Sequence, residues 1–241
     1  MIGSLLWDIE TKGRAEWRDS RLETRERAPV RVPIYYGRKS RSRGDTYTMA
    51  FGPSEPAGQA VLVPCSAKIC KIDSLIAEAH ALWKAEAPKA KPTAISSEWE
   101  CVGALFGRGQ AHAKLSADWI AHFQNVKAQC VSVINADGLL DIRWPNTLDD
   151  KPADFDIVLA TATKPGVTKP SAQDVADAWA DQCGNEDYFF NNVLHGIRTP
   201  DDGIIWRRIE EKVPCWLEKK KREYQGAIEI LRSEFASHTQ S

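Results

Sequence analysis

In the run Ile72-Asp73-Ser74-Leu75-Ile76-Ala77-Glu78-Ala79-His80-Ala81-Leu82-Trp83-Lys84-Ala85-Glu86, the residues Ile72, Leu75, Ile76, Ala79, Leu82 and Trp83 recur at i, i+3, i+4 and i+7. That spacing lines one face of a helix, and Pro88 stops it, so an amphipathic helix is predicted over 72–86. Upstream the pattern is different. Val30 to Tyr36, Thr46 to Phe51 and Gly58 to Pro64 are β-branched or aromatic runs bounded by Gly37, Gly44-Asp45 and the Pro53 to Gly58 segment. They predict a small antiparallel sheet ahead of the helix, with residues 1–65 read as short strands divided by an arginine-rich stretch.

Downstream, Ala87 to Pro92 alternates Pro and Lys and reads as a loop. Strands resume at Trp99 to Phe106, Cys130 to Ile134 and Asp156 to Thr163, with a helix over Ser116 to Gln129 between the first two. After Lys164-Pro165-Gly166 everything reads as helix. Ser171 with Asp174 three residues on forms a capped start, and Thr199-Pro200-Asp201-Asp202 combines an N-cap, a proline at the first helical position and an acid. Pro214 opens a last helix ending near Phe235. The fold class expected is α+β: a core over 1–165 and a helical part over 166–241 packed on it as one structural unit.

Composition sets the function classes. The 241 residues carry 32 Lys+Arg against 33 Asp+Glu, a net charge of -1, whereas a protein that neutralises DNA phosphates along its length carries a basic excess. Nucleic acid is therefore disfavoured and a small-molecule substrate favoured. The longest uncharged apolar runs, such as Ile157 to Thr163, fall far short of the roughly 20 residues of a membrane helix. The first residues show no secretory leader, so a cytoplasmic location is expected. The six cysteines form no CxxC pair and the five histidines have no metal-ligand spacing, which predicts reduced, mostly buried thiols and no metal site. His80, His112 and His195 have no partner visible in sequence. No Gly-x-Gly-x-x-Gly, Walker loop, Gly-x-Ser-x-Gly elbow or HExxH is present, so common nucleotide, serine-nucleophile and zinc chemistries are demoted.

Three features carry possible chemistry. At ~100° per residue, Glu86 projects onto the apolar face of its helix while Glu78 points to the side. A carboxyl on a greasy face has a raised pKa and suits proton transfer near neutrality; the alternative is that Glu86 bends to solvent or pairs with Lys84 or Lys89. Gly3-Ser4-Leu5 can turn consecutive N–H groups onto an anion, although Gly-Ser is common in ordinary turns. Tyr36-Gly37-Arg38-Lys39-Ser40-Arg41-Ser42-Arg43-Gly44 is a basic loop able to clasp a carboxylate or phosphate, or to meet RNA; otherwise it is a solvated hairpin connection.

Taken in order, these pieces resemble the gamma-glutamylcyclotransferase superfamily, in its ChaC-like branch. Gly3-Ser4-Leu5-Leu6-Trp7 resembles the family's Tyr-Gly-Ser-Leu loop and the Trp that follows it, and Ser42-Arg43-Gly44 to Phe51 its arginine-glycine turn and next strand. Gly58 to Val63 is similar to the strand before the catalytic helix, and Leu82-Trp83-Lys84-Ala85-Glu86 to that helix's acidic end. Gly184-Asn185-Glu186-Asp187-Tyr188-Phe189, Gly196-Ile197 and Asp201-Asp202 resemble the branch's C-terminal motifs.

The resemblance implies a small mixed or antiparallel β-barrel core with flanking helices, and an insertion around 89–155. It further implies release of 5-oxoproline from a γ-glutamyl amine or peptide by attack of the α-amine on the γ-carbonyl. Glu86 is then the acid/base, with Glu78 as alternative because it lies 20 residues after Gly58. Gly3, Ser4, Leu5, Arg41 and Arg43 bind substrate, and no cofactor or metal is called for. Two further readings stand beside it: a catalytically silent member of the fold that binds a metabolite or protein partner, and a local RNA binder through residues 38–43.

Overall fold

The computed structural model describes residues 1–11, 13–89, 94–96, 100–125, 133–181 and 187–238, with side chains except at 110, 111, 125, 215–221 and 234–238. Strand β1 (Ala28–Ser40) is the spine of the sheet. Its first half pairs antiparallel with β3 (Ala57–Leu62) and its second half with β2 (Thr46–Phe51), while β5 (Asn146–Thr147) pairs with Val30 and Arg31. A register shift between Tyr36 and Arg38 marks a bulge at Gly37, a device that re-aims the side chains after it. A separate two-stranded antiparallel sheet joins β4 (Glu100–Phe106) to β6 (Ile157–Thr163).

The architecture is mixed α+β with antiparallel sheets. Among the described residues no ladder joins the two sheets and no closed barrel forms, in contrast to the expected barrel. The outer edge of β3 is covered instead by the 196–199 segment: Gln59 and Arg198 exchange backbone hydrogen bonds of 2.7 and 2.8 Å. That approach requires Gly58, where a Cβ would stand 2.4 Å from the Arg198 carbonyl oxygen.

Helix α2 (Ile72–Glu86) has the expected bounds and buries Leu75, Ala79, Leu82 and Trp83. Helix α1 (Arg14–Arg21) was not expected, since only Trp17 is a large apolar residue within it and its buried positions are Arg14 and Arg18. Helix α3 (Gln110–Asn125) begins six residues before the predicted Ser116. Of the expected strand over Cys130 to Ile134, residues 130–132 lie outside the described ones; Ile134 makes only an isolated bridge to Leu140.

The C-terminal helices follow as α4 (Ala172–Ala180), α5 (Asp187–Leu194), α6 (Asp202–Lys212) and α7 (Pro214–His238). Helix α4 carries the predicted Ser171/Asp174 capping box. Helix α6 starts at Asp202, two residues after the predicted Pro200; Asp202 is wholly buried and held by Arg198 at 2.9 Å and by the Thr199 hydroxyl. Aromatic rings join this part to the sheet and its helices to one another: Tyr36 of β1 meets Trp179 of α4 edge-on at 4.7 Å, and Phe190 of α5 stacks on Tyr224 of α7 at 4.7 Å. Cys101 is buried as expected, whereas Cys65 and Cys70 are exposed on the connection between β3 and α2. Cys130 and Cys183 lie outside the described residues, as does 184–186 of the C-terminal motif. No described helix is long and apolar enough to cross a membrane.

Candidate functional site

The chain start runs beside β3, with Val61 N–H donating to the Met1 carbonyl at 3.2 Å, and then closes a 3₁₀ turn at Gly3–Leu5. Gly3 sits at φ +65°, and a Cβ there would lie 2.5 Å from the Tyr188 Oη. Both the left-handed conformation and the close approach demand glycine. Tyr188 of α5 is fixed in turn: its Oη accepts from Met49 N–H at 3.2 Å, and Trp7 meets its ring edge-on at 5.9 Å. Trp7 also donates to Asn192 at 2.8 Å.

From the other side α1 grips the same turn. Arg14 donates to Ser4 Oγ at 2.8 Å, to Asp8 at 2.8 Å and to the Ala85 carbonyl at 3.2 Å. It also lies 3.5 Å from the Glu86 carboxylate. Arg18 donates to the carbonyls of Leu5 and Asp8 at 2.8 and 2.7 Å. Burial works against the Asp8 charge, but hydrogen bonds from Thr11 and the backbone, together with Arg14, outweigh it and hold the carboxyl below its ordinary value.

These elements enclose a polar cavity of about 210 Å³. Ile2, Gly3, Ser4 and Leu5 line it, with Glu86 from the last turn of α2, Glu100 from the start of β4, Thr161 and Thr163 from β6, and Arg14, Arg38 and Arg43. Two carboxylates and three guanidinium groups thus share one small space. Glu86 retains 17% side-chain exposure. Arg43 stacks over the Tyr188 ring at 4.6 Å and reaches Ser4 Oγ at 3.4 Å.

Glu100 is altered by its surroundings in this cavity. Its Oε2 is shielded from solvent and has no hydrogen-bond partner among the described residues. Burial first, and then the negative charge of Glu86, push its carboxyl above the ordinary glutamate value, against the pull of Arg38 and Arg14. An unpartnered buried oxygen is costly, so a carboxyl kept in this state marks a candidate for function.

Of the residues singled out in sequence, Gly3, Ser4, Leu5, Glu86 and Arg43 come together at this cavity. Arg41 does not: it is exposed on the 3₁₀ turn Arg41–Arg43, one side of which faces solvent while Arg43 lies over Tyr188. Glu78, the alternative acid/base, does not line this cavity either. It is 8% exposed, lines a different cavity and pairs with Arg21 at 2.8 Å; its partner comes from α1, the helix missed in sequence. The basic loop is only partly a loop, since β1 continues through Arg38 and Ser40.

Arg14, Glu100 and Tyr188 were not expected in the site. Tyr188 stood in a quoted motif, but no local pattern marks the other two, because their roles depend on contacts with segments distant in sequence. Among the described residues no group of three or more His, Cys, Asp or Glu is placed to hold a metal ion. Compared with known proteins, the chain matches no family model, no curated protein and no solved structure.

Proposed function

We propose that this chain is a lyase of the gamma-glutamylcyclotransferase type, releasing 5-oxoproline from a γ-glutamyl amide. The observation that carries the reading is the convergence of Glu86, the Gly3–Leu5 turn and Arg43 on one cavity. A γ-glutamyl group brings an α-carboxylate and an α-ammonium, and the cavity offers guanidinium and carboxylate groups in turn. Its volume, below the roughly 300–1,000 Å³ of drug-sized ligand sites, suits the glutamyl moiety alone.

In the proposed reaction Arg43 and Arg38 take the α-carboxylate. Glu86 accepts a proton from the α-ammonium, and the freed amine attacks the γ-carbonyl carbon, forming the new C–N bond of the five-membered ring. Collapse of the tetrahedral oxyanion breaks the original γ-amide C–N bond as Glu86 returns its proton to the departing nitrogen, and the second proton of the ring nitrogen passes by way of Glu86 to the departed amine. Products are 5-oxoproline and the amine in its ammonium form, so both protons lost by the α-ammonium are accounted for and Glu86 ends as the carboxylate it began as. Glu100, whose carboxyl burial and the charge of Glu86 push above the ordinary glutamate value, lines the same cavity and, when it holds a proton, can donate to the developing oxyanion. Intramolecular attack gains most from positioning, which the doubly gripped Gly3 turn supplies.

The test is 5-oxoproline release from simple γ-glutamyl amides by wild type, Arg43→Ala and Arg41→Ala. Release that falls with Arg43→Ala, chiefly through KM, and is unchanged by Arg41→Ala is expected. If no γ-glutamyl amide yields 5-oxoproline while 5-oxoproline itself still binds, the cavity is a binding site and the catalytic reading fails.

A further inference from the structure

A second cavity, of about 310 Å³, lies along the same elements as the first. On β6, Thr161 and Thr163 line the polar cavity, while Ile157 and Leu159 line the second. Alternate residues of a strand share a face, so the face of β6 that carries Thr161 and Thr163 continues to Leu159 and Ile157, changing from hydroxyl to hydrocarbon, and Val158 of the opposite face also borders the second cavity. Helix α2 changes at the same level: Glu86 lines the polar cavity, and Leu82 and Leu75, on the same stripe one and three turns earlier, line the other. On α1, Arg14 lines the first and Trp17 the second.

The two ends of the polar cavity are not equivalent. Arg38 and Arg43 stand on the β1–β2 side, which contributes nothing to the second cavity, whereas Glu86 stands on α2, which lines both. With its carboxylate at the arginines and its scissile amide at Glu86, a γ-glutamyl group has its nitrogen substituent on the α2 side of the polar cavity, the side from which α2 and β6 continue to Leu82 and Leu159 of the second. Successive lining positions there are about 6–7 Å apart along the strand, a span of a few bonds. Charged groups on the second cavity are engaged or exposed: Glu78 pairs with Arg21 at 2.8 Å, Asp156 with His112 at 3.2 Å, and Lys68 is exposed.

We infer that the second cavity receives the leaving group, and that the substrate class is γ-glutamyl amides of uncharged apolar amines, aliphatic or aromatic, in preference to γ-glutamyl peptides ending in a carboxylate. This rests on the cyclising reading above.

The experiment compares kcat/KM for γ-glutamyl-methylamide, γ-glutamyl-isopentylamide and glutathione. Burial of each added methylene is expected to raise kcat/KM roughly fourfold, so the isopentyl amide should exceed the methyl amide by on the order of 10²-fold, with glutathione below it. Leu159→Trp, which fills the cavity, should bring the isopentyl value down toward the methyl value and leave the methyl amide unchanged. Leu159→Ala, which cannot overpack, should reduce the preference more mildly, and thermal melts check that both variants fold. Equal turnover of the two amides, or a preference untouched by both variants, overturns the leaving-group assignment and leaves the cyclase reading standing. Failure of all three compounds to yield 5-oxoproline overturns both.

Discussion

Replacing Arg14 with Met keeps the length and removes the charge, and the consequences can be worked from its contacts. Arg14 is 9% exposed and is the point where Ser4, Asp8, the Ala85 carbonyl and Glu86 are tied together. Its loss leaves the Asp8 carboxylate, itself only 13% exposed, without its cation. Breaking a buried ion pair from one side costs about 3–5 kcal/mol. Asp8 keeps its hydrogen bonds from Thr11 and the backbone, so the lower end, about 3 kcal/mol, applies. At roughly 2–4 °C per kcal/mol for a chain of this size, the melting temperature should fall by about 6–12 °C. Arg31→Met is the control, because the Arg31–Asp150 pair is exposed on both sides and such pairs are worth ~0–1 kcal/mol. Thermal unfolding followed by far-UV circular dichroism reads both. An Arg14→Met protein that melts with wild type would refute the placement of Arg14 at the centre of the site.

Gly3→Ala should destabilise by about 1–2 kcal/mol from its left-handed backbone alone, and more from the Tyr188 hydroxyl 2.5 Å from the new Cβ. Adding Tyr188→Phe should recover part of that loss, and strictly additive urea-denaturation energies for the pair would show that the two residues do not meet. Glu100 gives a pH dependence of definite sign. Its folded carboxyl titrates above the ordinary glutamate value, so the folded state holds the proton more tightly than the unfolded chain. The stability this contributes is full below the unfolded pKa and is lost as pH rises through the folded one. Glu100→Gln should therefore gain on wild type in urea midpoint as pH is raised through that window, and a gap that is constant or narrows would contradict the burial of the carboxyl.

Much of the scaffold was legible because its signals are local. Helix α2 follows from apolar spacing between Ile72 and Trp83, and the start of α4 from the reciprocal Ser171–Asp174 pattern, whose partners are three residues apart. Helix α1 was not legible, since hydrophobic periodicity assumes that buried positions are apolar, and here the inward residues are Arg14 and Arg18. Glu86 could be placed from its projection on α2. Glu100 could not, because nothing in β4 records that Glu86 and three arginines stand around its first residue. Arg41 and Arg43 were equivalent in sequence and differ in structure because a 3₁₀ turn of three residues presents its first and last side chains differently.

The most direct test of the proposed cyclising role is single-site. Glu86→Gln keeps the size and polarity of the side chain and removes the base, so kcat for 5-oxoproline release from a γ-glutamyl amide should fall by on the order of 10²–10⁴ with KM little changed. Glu100→Gln, which retains a donor N–H, should lose far less than Glu100→Ala. A Glu86→Gln protein that turns over at the wild-type rate would contradict the assignment of Glu86 as the proton carrier.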